Sequence, residues 1–134
     1  MSNHIDAGRS RVVTGFAAGL LALGLAFLFA PQEMCALVFG RDAVEPLGSM
    51  LAASLVGFGL MDWIARRSAL GGIYGRTVVA SNQAHFIIGA LTLLRHGAAL
   101  GGSAAYWVVT TFYALGAAYF SYLLFGTGVR PPSP

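Results

Sequence analysis

The chain has 134 residues, 57% of them hydrophobic and only 10% charged, with a formal net charge of +3. Soluble domains carry about 25% charged residues, so this composition excludes an ordinary water-soluble domain, and the charges that remain gather at the ends of long apolar runs. The positive balance does not point to nucleic acid, because all eight cations are arginines flanking apolar segments rather than a basic patch on one exposed face.

The first apolar run, Val12 to Ala30, is roughly 28 Å long as a helix, close to the roughly 30 Å hydrocarbon core of a bilayer. Arg9 and Arg11 ahead of it could open a signal peptide. The run is too long for a signal-peptide core, however, and Pro31 stands where a small-residue cleavage site belongs, so it reads as a retained span. Between Pro31 and Gly40, Met34, Leu37 and Val38 recur at helical spacing with Glu33 and Arg41 on either side, which predicts a short amphipathic turn lying in the interface. Its single cysteine, Cys35, reads as a small apolar filler: one cysteine allows no internal disulfide and no multi-cysteine metal site.

Asp42 followed by Glu45 resembles a capping box, and Pro46 is tolerated that early in a helix. A second span follows over about 47–65, stopped by Arg66 and Arg67 and a Gly71, Gly72 turn. The third covers about 74–94 and stops at Arg95, His96 and Gly97. The fourth covers about 103–125, after which Gly126, Gly128 and the prolines at 131, 132 and 134 leave a disordered tail over 126–134. The expectation is one all-α domain over 1–134, an integral membrane four-helix bundle running up-down-up-down, since short connections make sequential helices antiparallel neighbours.

With the N-terminus inside, Arg9, Arg11, Arg66, Arg67, Arg76 and Arg130 fall on the cytoplasmic side, against Arg41 and Arg95 outside. That places both termini in the cytoplasm. Aromatic residues fit the same depths: Trp63, Tyr74, Tyr119 and Tyr122 at the inner interface, Tyr106 and Trp107 at the outer one. Helix association in lipid depends on close packing through small residues. Candidate contacts are Ala18, Ala22, Ala26 and Ala30 with Gly15 and Gly19 on the first helix, Gly48 with Ala52 and Ala53 with Gly57 on the second, and Ala114 with Ala118 on the last.

Three polar side chains lie inside apolar runs. An ionisable residue within a span is a functional hypothesis by default, because leaving it unpaired costs on the order of 2.5 to 3.5 kcal/mol. Counted from its helix end, Asp62 is only roughly 5 Å deep, and Arg66 and Arg76 are near enough to form a structural ion pair with it. His85 is roughly 16 Å deep, level with Tyr113 and Ser54, either of which could satisfy a neutral imidazole. Asn82 lies three residues from His85 on the same helix face, with Ser81 and Gly89 beside it. Asn82, His85, Tyr113 and Ser54 therefore form the candidate internal polar site, suited to a lipid, a quinone-like molecule or a proton. One histidine gives a haem one axial ligand only, and it gives a metal too few, so neither metal nor cofactor is expected. No catalytic constellation, P-loop or serine elbow occurs, which argues against an enzyme.

The residues Gly57, Gly59, Trp63, Ala65 and Arg66, then Arg76, Asn82, His85 and Gly89, then Ala118, Tyr119 and Phe120 form a pattern that resembles small bacterial four-span membrane proteins of the domain-of-unknown-function type. The resemblance covers the last three spans and implies a bacterial inner-membrane location without an activity. The chain lacks the buried first-helix glutamate of the small multidrug-efflux proteins; four-span proteins of the DoxX kind match in shape alone. Two functions follow as expectations. One is a non-enzymatic accessory or structural subunit, with a homo-oligomer or another membrane protein as partner besides the lipid bilayer. The other is a small binder or carrier using Asn82 and His85.

Overall fold

The computed structural model of the chain describes residues 2–40, 45–66, 73–100 and 103–126. Among them are five α-helices: α1 (Ser2–Phe29), α2 (Pro31–Phe39), α3 (Glu45–Ala65), α4 (Ile73–Leu100) and α5 (Ala104–Ser121), the last continuing as a π-helical turn over Tyr122–Gly126. Four stretches are long and apolar enough to cross a membrane, Ala7–Phe29, Pro46–Ala65, Gly75–Gly97 and Ala104–Gly126. The protein is an all-α, multi-pass membrane protein. Hydrocarbon offers the backbone no hydrogen-bond partner, so each apolar run satisfies its own amides as a helix.

The helices overrun the expected boundaries where they leave the apolar zone. α1 begins at Ser2, and α4 passes through Arg95, His96 and Gly97 to Leu100. Charges end a membrane span without ending a helix. Proline and glycine do interrupt it: Ala30 leaves the helical region at φ −138°, ψ 58° ahead of Pro31, and Gly40, at φ 65°, closes α2 with its N–H on the Ala36 carbonyl at 2.9 Å. The Asp42–Glu45 capping box, the Gly71, Gly72 turn and the tail beyond Gly126 lie outside the described residues or side chains.

Short helix α2 turns Cys35 and Val38 inward with Met34 beside them, while Leu37, expected on that face, is exposed. Burial pushes the Cys35 thiol up from its ordinary pKa. α2 folds across one end of the bundle, against α1, α3 and α5. Ser103 fastens it there: its hydroxyl donates to the Val38 carbonyl at 3.3 Å and also accepts the Tyr106 N–H at 3.0 Å as the N-cap of α5. Phe39 packs on Phe27 and Tyr106.

Residue pairings show that the four long helices alternate in direction, up-down-up-down. Gly24 meets Val56 while Leu21 meets Gly59, Gly89 meets Tyr113 while Phe86 meets Gly116, and Phe58 meets His85 while Asp62 meets Asn82. α1 packs closely along α3, and α4 along α5, whereas α3 and α4 touch lightly. The two closely packed pairs join through rings. Phe16 of α1 lies 5.3 Å from Phe86 of α4 and 5.5 to 5.7 Å from Phe112, Tyr119 and Phe120 of α5, centroid to centroid. At the end opposite α2, the Tyr119 hydroxyl reaches the Arg9 carbonyl at 3.5 Å.

Inward positions recur at intervals of three and four: Val13, Ala17, Leu20, Gly24 and Phe27 on α1, and Gly48, Ala52, Leu55, Gly59 and Asp62 on α3. This corrects half of the expected small-residue contacts. Gly48 and Ala52 are buried as expected, with Gly48 against Pro31, and Gly19 receives the Phe112 ring. Gly15 and Gly57 face open space, and Ala18, Ala22, Ala53 and Ala118 are exposed. Both faces of a lipid-bathed helix are apolar, so small residues alone do not mark the inner one. Tyr106 is likewise a core residue and not an interface one, fully buried with its hydroxyl donating to the Leu93 carbonyl.

Gly116 offers a direct check. A Cβ there would lie 2.4 Å from the ring of Phe86, which is fully buried and hemmed in by other rings, whereas a Cβ on Gly15 meets nothing within 4 Å. Gly116→Ala should lower thermal stability in detergent, at about 1 to 3 kcal/mol for overpacking, and Gly15→Ala should leave it unchanged.

Candidate functional site

Asp62, Asn82 and His85 gather along the light α3–α4 contact, in two layers. In the first, Asp62 of α3 and Asn82 of α4 are both fully buried, and the Asn82 Nδ2 donates to Asp62 Oδ1 at 2.5 Å and to the Val78 carbonyl at 3.1 Å. The Val78 carbonyl, which only an N–H can serve, fixes the orientation of the amide, since the flipped form would set Oδ1 against it. Asp62 Oδ2 and Asn82 Oδ1 are left buried with no hydrogen-bond partner among the described residues. Each such atom costs roughly 1 to 3 kcal/mol.

The second layer lies one helical turn along α4 toward the α2 end. His85 stacks on Phe58 of α3, with ring centroids 4.1 Å apart and planes at 21°, and its Nε2 shares a hydrogen bond of 3.2 Å with the Tyr113 hydroxyl of α5. Gly89 makes that bond geometrically accessible: a Cβ there would fall 2.3 Å from the Tyr113 ring, so only a bare backbone lets the ring lie on α4 and aim its hydroxyl at His85.

Beside this layer α3 and α4 part to form a groove of about 430 Å³. Leu23 and Phe27 of α1, Leu55 of α3 and Val109 of α5 line its depth, and Val38 and Phe39 of α2 roof one end. Exposed Ser54, Ile88 and Thr92 stand where it opens to the membrane. His85 and Tyr113 are polar points in an otherwise mostly apolar wall. A second groove, about 360 Å³ between α1 and α5, is lined by Gly19, Ala22, Val108 and similar residues and offers no side chain that hydrogen-bonds.

His85 and Tyr113 are brought together as expected from depth. Ser54 is not their partner: its hydroxyl donates to the Met50 carbonyl at 3.1 Å on the groove rim. Asn82 shares a helix face with His85 but belongs to the other layer. The expected Asp62–Arg66–Arg76 ion pair is absent. Arg66 turns back onto its own helix end, where it donates to the Trp63 carbonyl and lies 3.9 Å above the Trp63 ring, and Arg76 is exposed. Cation–π contact in the interface keeps the Arg66 head hydrated, which burial against Asp62 would forfeit. Among the described residues no group of three or more His, Cys, Asp or Glu could hold a metal ion.

Depth counted from helix ends hid the Asp62–Asn82 pair, because the two residues lie at different distances from the ends of their apolar stretches, Ala65 and Gly75. Counting outward from Gly71 and Gly72, between the second and third apolar runs, reveals it: Asp62 lies about nine residues before them and Asn82 about ten after, which makes them level in an antiparallel pair. Comparison of the chain with known protein families, with curated proteins and with solved structures finds no match.

Two substitutions near Asp62 should differ in effect. Asn82→Leu leaves the Asp62 carboxyl buried without its donor and should cost roughly 1 to 3 kcal/mol of stability in detergent. Arg76→Gln, at an exposed position, should leave the melting temperature where it was.

Proposed function

We propose that the protein binds a small membrane-dissolved molecule, with an apolar body and a hydrogen-bonding head, in the groove between α3 and α4. The observation that carries this reading is the His85–Tyr113 pair facing a groove of about 430 Å³. Ligand sites are typically clefts of about 300 to 1,000 Å³, mostly apolar, with a few convergent polar groups to fix orientation. An imidazole and a phenol can each donate or accept, so the pair suits a carbonyl or hydroxyl head such as a quinone's. Had the pair been packed without a void, a purely structural subunit would have been the better reading.

The proposed setting is the inner membrane of a bacterium, with both termini cytoplasmic and α2 on the far side, in keeping with the likeness to small bacterial four-span proteins. The arginine distribution supports it, and four spans return the chain to its starting side. A reporter fused after Pro134 that is active only in the cytoplasm should be active, and one active only outside should be silent.

Binding is tested with decyl-ubiquinone as the probe, by native mass spectrometry and thermal shift of the full chain in mild detergent. The wild type should retain the probe and melt higher with it. His85→Leu and Tyr113→Phe should each weaken retention about tenfold, the equivalent of one hydrogen bond of about 1.4 kcal/mol. Equal retention by wild type and His85→Leu, or none by either, sinks the proposal.

A further inference from the structure

We propose that Asp62 and Asn82 together form a proton-binding site within the membrane, in which Asp62 holds its proton on Oδ2 at neutral pH. This does not rest on the groove reading, since the pair lies one turn away from the His85 layer and does not line the groove.

Two oxygens of the pair lack partners among the described residues. Asp62 Oδ2 and Asn82 Oδ1 are both acceptors, both on fully buried side chains, and both without a donor. The Asn82 nitrogen has no hydrogen left for either, since it already serves Asp62 Oδ1 and the Val78 carbonyl. What the pair lacks is a donor, and one proton supplies it. On Oδ2 the proton converts that oxygen from an acceptor with nothing to accept into a donor, for which Asn82 Oδ1 is the acceptor left over. The same proton removes the net charge, which a dehydrated site in hydrocarbon strongly disfavours.

Among the described residues, the charged and titratable groups named next do not supply the donor instead. Arg66 is committed to Trp63, Arg76 is exposed, His85 is bonded to Tyr113 and stacked on Phe58, and the Tyr119 hydroxyl is turned to Arg9. A metal cation fits poorly. Hard cations take about six or more oxygens, and the described residues contain no cluster of three His, Cys, Asp or Glu.

Infrared spectroscopy of the full chain in lipid nanodiscs reads the proton directly, through the carbonyl stretch of a protonated carboxylic acid. The chain has three aspartates, Asp6, Asp42 and Asp62, so the Asp6→Asn, Asp42→Asn double variant grown with isotopically labelled aspartate reports Asp62 alone. The expected result is a labelled acid band at neutral pH, unchanged by sodium, and lost on adding Asp62→Asn. A band that appears only in strong acid overturns the proposal, and so does one at neutral pH that sodium abolishes, since a cation then occupies the site. Should Asp62→Asn fail to fold, the isotope shift between labelled and unlabelled double variant assigns the band without it.

Discussion

Close backbone approach at a few glycines is the constraint on which the structure depends. Lipid removes most of the hydrophobic reason for helices to associate, leaving contact and hydrogen bonding to do it. α1 and α3 meet where Gly24 lies on Val56 and Gly59 on Leu21, and α4 and α5 meet where Gly89 takes the Tyr113 ring and Gly116 the Phe86 ring. These contacts make two tight helix pairs. Phe16 and its ring neighbours then join the pairs at a greater distance, and the α3–α4 edge stays loose. The groove is a by-product of that unequal packing.

The loose edge is also where polar groups collect. A polar side chain is hard to place on a tightly packed glycine crossing and costly on the lipid face, so the seam between the two pairs is the compatible position. Asp62, Asn82 and His85 all fall there, each with a partner on another helix. Thr110, by contrast, needs no partner from a neighbour: its hydroxyl donates to the Tyr106 carbonyl one turn back at 2.8 Å.

Much of the fold was legible from chain punctuation and hydropathy. Pro31 and Gly40 bracket α2, Ser103 opens α5, and the apolar runs mark the spans. The inward faces were not legible, because in hydrocarbon the usual polar and apolar division of a helix is lost. Ala18 and Ala22 therefore looked as eligible for packing as Ala17 and Gly24. In the site, level counting found His85 with Tyr113 because both sit deep within long helices, where small boundary errors matter little. Asp62 lies close to a helix end, where the same error changes its neighbours, and its pairing went to Asn82 rather than to arginine. Phe58 beneath His85 has no sequence signature at all, since one phenylalanine among nine looks like lipid-facing bulk.

The roof formed by α2 determines what the groove can sample. With Val38 and Phe39 closing one end and Ser103 pinning the helix in place, the opening marked by Ser54, Ile88 and Thr92 faces sideways between α3 and α4. A ligand of the proposed kind would therefore reach His85 by diffusion in the plane of the membrane, and its occupancy would follow mole fraction in the surrounding lipid rather than concentration in water.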